Sequence, residues 1–230
     1  MDNLLSQTLF FGMVISLWGY GIGLFLKKKL HSSICNPLLI SVILVIVVLK
    51  GFKISYATYL EGAKYLSYLL TPATVCLAIP LYREIMLLKN NLKAILIGVT
   101  AGVIASMGSV FCMAKLFGFS HEQYVTMLPK SITTAIGMGI SEEMGGITTI
   151  TVAAIIITGI LGNMIAEALC RVFRIQNPVA KGLAIGTSAH AIGTARAMEM
   201  GEVEGAMSSL AIVVAGLLTV IFIPVFAGLL

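Results

Sequence analysis

The sequence predicts an all-α fold, a polytopic transmembrane helix bundle of about seven to eight spans with broken or re-entrant helices among them. Three observations predict it. Apolar residues make up 58% of the chain and charged residues 11%, at a mean hydropathy of +1.01, whereas a soluble domain carries about 25% charged residues. Residues 3–26, 94–114, 144–166 and 205–230 contain no Asp, Glu, Lys or Arg, and about 20 apolar residues suffice to cross about 30 Å of hydrocarbon as a helix. Basic residues gather at the ends of such runs, as the cytoplasmic bias of Lys and Arg produces.

Taken in order, 3–26 reads as a retained helix. It begins with Asp2, lacks a small-x-small cleavage site and is followed by Lys27, Lys28 and Lys29, a basic anchor and not the layout of a cleaved signal. Residues 34–49 form a shorter apolar run, and 65–82 are uncharged but interrupted by Pro72 and Pro80. Placing Lys27–Lys29, then Arg83, Lys89 and Lys93, then Arg171, Arg174 and Lys181 in the cytoplasm sets the path. Residues 65–82 run inward, 94–114 outward, 144–166 inward, 182–195 outward and 205–230 inward. Residues 125–141 are left as a re-entrant or broken element on the outer side. The chain reads as one transmembrane domain, 1–230.

Three segments differ from ordinary spans: 70–83, 129–143 and 182–199. Each carries proline or glycine among hydroxyl residues. Unpaired backbone groups are tolerated at membrane depth only against protein or a water-filled cavity, and in transporters such breaks mark the substrate site. Thr71-Pro72-Ala73-Thr74 and Thr187-Ser188-Ala189-His190 open interrupted segments at similar places in the two halves. This suggests inverted repeats over about 34–117 and 123–230, with 1–33 an added N-terminal helix. The pairs Gly19/Gly23, Gly98/Gly102, Thr133/Gly137 and Gly182/Gly186 suit close helix packing.

The net charge of +5 is scattered over segment ends, with no basic stripe for nucleic acid. Cys35, Cys76, Cys112 and Cys170 are far apart and read as small core residues, not as a metal or disulfide framework. His31 and His121 fall in short polar loops. No nucleophile elbow, zinc-protease or phosphate-loop motif is present, so the chain reads as neither an enzyme nor a cofactor or metal protein.

Chemistry concentrates in the broken segments. His190 and Thr194 lie four apart, and Arg196 and Glu199 three apart, at helical spacing. Arg196 reads either as an interfacial anchor paired with Glu199 or as a planar fork for a carboxylate. In the second reading the backbone around Thr187 and Ser188 adds a helix-N-terminal anion cradle. Pro129 opens a hydroxyl-rich turn with Lys130, Ser131, Thr133 and Thr134, either a simple helix cap or the same kind of site. Glu167 and Arg171 read as an i,i+4 pair, and Asn163 as interhelical glue. The candidate substrate-binding set is Thr71, Thr74, Ser131, Thr133, Thr134, Ser188, His190, Thr194 and Arg196.

Lys130-Ser131-Ile132-Thr133-Thr134 with Ile140-Ser141-Glu142, Gly145-Gly146 and Thr158-Gly159-Ile160-Leu161-Gly162 resembles the signature of the LrgB/CidB family. So does Gly182-Leu183-Ala184-Ile185-Gly186 with Ser188-Ala189-His190-Ala191-Ile192-Gly193-Thr194-Ala195-Arg196-Ala197. Thr71-Pro72-Ala73-Thr74 through Tyr82 looks like the family's first broken segment. The resemblance runs from about residue 34 onward, and Ala135 departs from it where relatives carry proline. It implies a multi-pass protein of the bacterial cytoplasmic membrane, paired with a smaller LrgA/CidA-type membrane partner. It carries two functional expectations. One is secondary or facilitative transport of small monocarboxylates of the pyruvate, lactate, glycolate or glycerate type, as in the related plastid glycolate/glycerate transporter. The other is holin/antiholin-like regulation of murein hydrolase export and cell lysis. The partners to look for are thus a small carboxylate, a coupling proton or Na+, the LrgA/CidA-type protein and further copies of the chain, but no nucleic acid.

Overall fold

A computed structural model of the chain describes residues 10–30, 36–69, 72, 75–76 and 78–230. Thr71, Thr74, His31 and Cys35 lie outside the described residues. Those residues are helical with turns between, and they divide into two units, Met1–Cys76 and Leu77–Leu230.

In the first unit α1 (Phe11–Leu30), α2 (Pro37–Gly51) and α3 (Tyr56–Ser67) pack together. The contacts fall where side chains are smallest. Gly12 meets the backbone of Tyr59 and Gly62, Gly19 meets Ser41, and Gly23 meets Pro37. Missing Cβ atoms let helix backbones approach, which is what drives association when lipid is as apolar as the interface. Helix α2 starts where Asn36 caps the amides of Leu38 and Leu39 and Pro37 supplies a pre-set φ.

The second unit begins with two short helices, α4 (Ala78–Arg83) and α5 (Ile85–Asn90). Three long ones follow: α6 (Leu92–Phe117), α9 (Thr148–Val172) and α11 (Glu202–Ala227). These three are long and apolar enough to cross a membrane. They match the uncharged runs 94–114, 144–166 and 205–230 to within a few residues at their starts. Ile95, Val99, Val103, Met107, Val110 and Ala114 bury one stripe of α6, while Leu96, Ile97, Ile104 and Met113 on its other sides are exposed. An outward face as apolar as the inward one is the mark of a helix solvated by lipid.

Between these helices lie two hairpins that enter from opposite ends. The first is α7 (His121–Met127), a turn over 128–133, and α8 (Thr134–Glu143). Tyr124 donates from its hydroxyl to the Phe226 carbonyl at 2.8 Å, near the C-terminus of α11. The arms then descend together, with Gly137 packed on Ile155 and on the Pro129 carbonyl. Thr151 donates to Ser141 at 2.7 Å, and the Ile147 amide donates to the Thr126 hydroxyl at 2.8 Å. The broken element expected over 125–141 is this hairpin.

The second hairpin is α10 (Pro178–Met200), whose helical path reverses at His190 (φ 42°, ψ −142°). Its first arm runs parallel to the start of α11, with Gly182 against Glu204 and Met207, and Gly186 against Ser208 and Ala211. Its second arm folds back, so Gly193 meets Ala189 and Ile185. Both ends finish at one end of the unit, where Lys181 pairs with Glu204 at 3.8 Å and Arg196 pairs with Glu167. This corrects the path drawn from sequence. Residues 182–195 do not cross, and 205–230 therefore run in the sense opposite to that expected. A single residue in the positive-φ region turns a span into a hairpin, and no hydropathy pattern records it.

With the hairpins placed, Arg83, Lys89, Lys93, Arg171, Arg174, Lys181 and Arg196 belong to one end of the unit. That end is fixed by the Arg83–Glu202 pair at 3.1 Å and by the starts of α6 and α10. Among the cysteines, Cys170 is buried, but Cys76 and Cys112 are exposed. The core reading fails for those two. For Cys112, on α6, the reason is that a small apolar side chain suits a lipid-facing position as well as a core. His121 is exposed as expected.

Candidate binding cavity

A cavity of about 980 Å³ opens within the second unit. Asn91 and Asn177, which precede α6 and α10 at the basic end, line it, and it reaches inward to Ser106, Lys130, Ser131, Thr187 and Ser188. Helix α6 is 26 residues long, about 39 Å at 1.5 Å per residue, and Ser106 lies about 21 Å from its start. The inner end of the cavity is therefore near the middle of a spanning helix, where the tip of the first hairpin meets the first arm of the second.

The polar groups there form a chain. Lys130 Nζ donates to Ser131 Oγ at 3.1 Å and to Ser106 Oγ at 3.4 Å. Ser106 donates to Ser131 at 3.0 Å. Lys130 is half-buried, and Ser131 and Thr187 are buried. Among the described residues no carboxylate pairs with Lys130. Thr187 Oγ1 is buried without a hydrogen-bond partner, and its methyl lies over Gly102, where a Cβ would approach to 2.7 Å.

The candidate residues drawn from sequence fall into separate places. Ser131 and Ser188 line the cavity, although Ser188 spends its hydroxyl on the Ala184 carbonyl at 2.7 Å. Thr133 and Thr134 begin α8 in the same turn as Ser131 and are half-buried; Thr133 is the residue before the helix, with no side-chain capping bond. His190 is buried at the second hairpin's tip, its Nε2 2.9 Å from the Ile155 carbonyl, with the ring over Gly159. Thr194 bonds to the His190 carbonyl at 3.0 Å and to Ser208 at 2.7 Å. Arg196 holds two carboxylates, Glu199 at 2.6 Å and Glu167, on the α9 side of the hairpin. Thr133, Thr134, His190, Thr194 and Arg196 are not among the cavity's lining residues. Glu167 also bonds to Arg171 at 3.3 Å, and Asn163 donates to the Ile192 carbonyl at 2.8 Å, fastening α9 to the second arm as glue.

The sequence places Lys130 in a possible site turn and Thr187 in an anion cradle, though neither is in the final candidate set, and Ser106 is absent from both. Lys130 carries a further signal, being the one charged residue between 123 and 141. Ser106 carried none beyond its place in an apolar run.

Comparison with known proteins matches the LrgB-like family over residues 16–229. Antiholin-like protein LrgB of Bacillus cereus strain B4264 is 42% identical over 224 residues, covering 96% of each chain. The protein of the same name from Bacillus anthracis strain CDC 684 / NRRL 3495 is similar to the same extent. No solved structure matches. A family match from near the first helix to the last, with relatives of equal length, places the chain in the LrgB-like family of membrane proteins.

Proposed function

We propose that the chain is an antiholin-like regulator of murein hydrolase export and cell lysis, working in the bacterial cytoplasmic membrane beside a smaller LrgA/CidA-type protein. The observation that carries this reading is the name borne by relatives 42% identical over 96% of the chain. Deleting the chain and its smaller neighbour from the host, then restoring each alone, tests it. Autolysis should rise on deletion and return to normal only when both are present; unchanged autolysis sinks the reading.

The cavity favours a second reading, passage of small monocarboxylates of the pyruvate, lactate, glycolate or glycerate type. A lesion-forming or lesion-blocking bundle has no need of a polar-ended cavity reaching the middle of its spans, whereas a transporter does. About seven to eight spans, and inverted repeats over about 34–117 and 123–230, remain proposals for the whole chain. Uptake of labelled pyruvate, lactate and glycolate into liposomes holding the purified chain, alone and with the smaller partner, tests this reading. Uptake no faster than in empty liposomes under either condition removes it. Neither reading calls for a covalent step.

A further inference from the structure

At the inner end of the cavity hydrogen-bond donors outnumber acceptors. Lys130 brings an ammonium, and both hydroxyls it reaches, Ser106 and Ser131, belong to a chain that ends at Ser131. Ser131 Oγ accepts twice, and its own proton has no acceptor among the described residues. Thr187 Oγ1, on a residue only 6% exposed, has neither donor nor acceptor. Threonines in helices commonly return their hydroxyl to the carbonyl four residues back, as Ser188 does here; Thr187 does not. A positive charge halfway along a spanning helix is costly unless it is paired, and the described residues supply no carboxylate for it. Among the described residues, the rest of the cavity wall holds no second Lys, Arg or His.

We propose that this inner end is a binding site for a small monovalent anion, anchored by the Lys130 ammonium and completed by the hydroxyls of Ser131 and Thr187. The assignment rests on the reading of the cavity as a passage for small anions, and it names the anchor and the charge rule. One ammonium neutralises one negative charge, so a second charge on the ligand would be left against apolar wall, where it has no partner. Charge-assisted donors hold an anion more firmly than neutral ones, which makes Lys130 the dominant contact and Thr187 the secondary one.

Equilibrium binding of radiolabelled acetate and succinate to the purified full-length chain in nanodiscs tests the site without transport or lysis. Acetate should bind, and succinate should bind at least about tenfold more weakly. Lys130→Met should weaken acetate binding about tenfold to a hundredfold, the range for a lost charge-assisted bond. Lys130→Arg should retain most of the affinity, and Thr187→Val should lose about two- to fivefold. Competition by chloride would identify a general monovalent-anion site and failure to compete a carboxylate-requiring one; both support the assignment when lost together in Lys130→Met.

A second measurement needs no ligand. With Cys35, Cys76, Cys112 and Cys170 replaced, Thr187→Cys should react faster with an anionic methanethiosulfonate than with a cationic one, and Lys130→Met should reverse that order. Acetate binding within threefold of the parent in Lys130→Met, equal binding of succinate, or an unchanged reagent preference overturns the proposal. Failure of liposome uptake with binding intact would instead overturn transport and leave the site standing.

Discussion

Arg196 and Lys130 are both cations away from a chain end, yet their surroundings assign them different work. Arg196 is 22% exposed and lies between two carboxylates that are about half exposed, Glu167 and Glu199. Hydrogen bonds to charged groups contribute about 1.5–3 kcal/mol each when buried, and exposure of the carboxylates reduces that toward the surface value of about 0–1 kcal/mol. Arg196→Ala should therefore lower the thermal unfolding midpoint of the detergent-solubilised chain, by the equivalent of about 1–3 kcal/mol for the whole network. Arg196→Lys should recover only part of that loss, because an ammonium does not fork between two carboxylates as a guanidinium does. Unchanged melting combined with lost carboxylate binding would move Arg196 into the binding site, as one reading of the sequence has it. The i,i+3 spacing to Glu199 was legible in the sequence; the partner on α9, 29 residues away, was not. Lys130 stands in the sequence as the cation of a hydroxyl-rich turn with Ser131, either a helix cap or a site. Only the path of the chain brings Ser106 to it.

At the scale of elements, the spacing of small residues carried much of the packing. Gly98 and Gly102 face Leu183 and Thr187, and Gly182 and Gly186 face the start of α11. Gly186→Ala would drive a Cβ into the Ser208 carbonyl and Ala211, a backbone contact that cannot swing aside, and should destabilise by about 1–3 kcal/mol. Gly108→Ala, on α6 with nothing within 4 Å of the added Cβ, should leave stability unchanged or raise it by up to about 1 kcal/mol, the helix-propensity gain of Ala over Gly. Comparing the two melts separates close approach from helix propensity. The hairpin tip makes a sharper case. His190 occupies φ 42°, which costs a non-glycine residue about 1–3 kcal/mol, and its ring returns some of that through Ile155 and Gly159. His190→Ala keeps the backbone strain and loses the ring contacts, whereas His190→Gly loses the ring contacts but relieves the strain. Glycine should therefore be the better tolerated replacement, by about 1 kcal/mol in thermal melts; the reverse order would mean that the reversal is not built on positive φ. The break was legible as glycine, serine and threonine within an apolar run. Its angle was not, because the same composition serves a kinked span and a hairpin equally.

Across the whole second unit, that difference decides which way the last helix runs. If 178–200 crossed, residues 176 and 202 would emerge on opposite sides of the membrane. As a hairpin, α10 returns to its starting end. The ion pairs Lys181–Glu204 and Arg83–Glu202 join groups that a crossing helix would hold a membrane's thickness apart. The charge distribution agrees, since the returning hairpin keeps Arg196 with Arg171, Arg174 and Lys181, and Lys and Arg near span ends favour the cytoplasmic side. Single cysteines at 122, 176, 202 and 229 in a background without the native four, probed on intact cells with a membrane-impermeant maleimide, read the outcome directly. Positions 122 and 229 should label from outside, while 176 and 202 should label only after the membrane is permeabilised. Labelling of 202 together with 122 would restore the crossing path and remove the second hairpin. Labelling of 176 from outside would invert the unit while leaving its internal fold untouched.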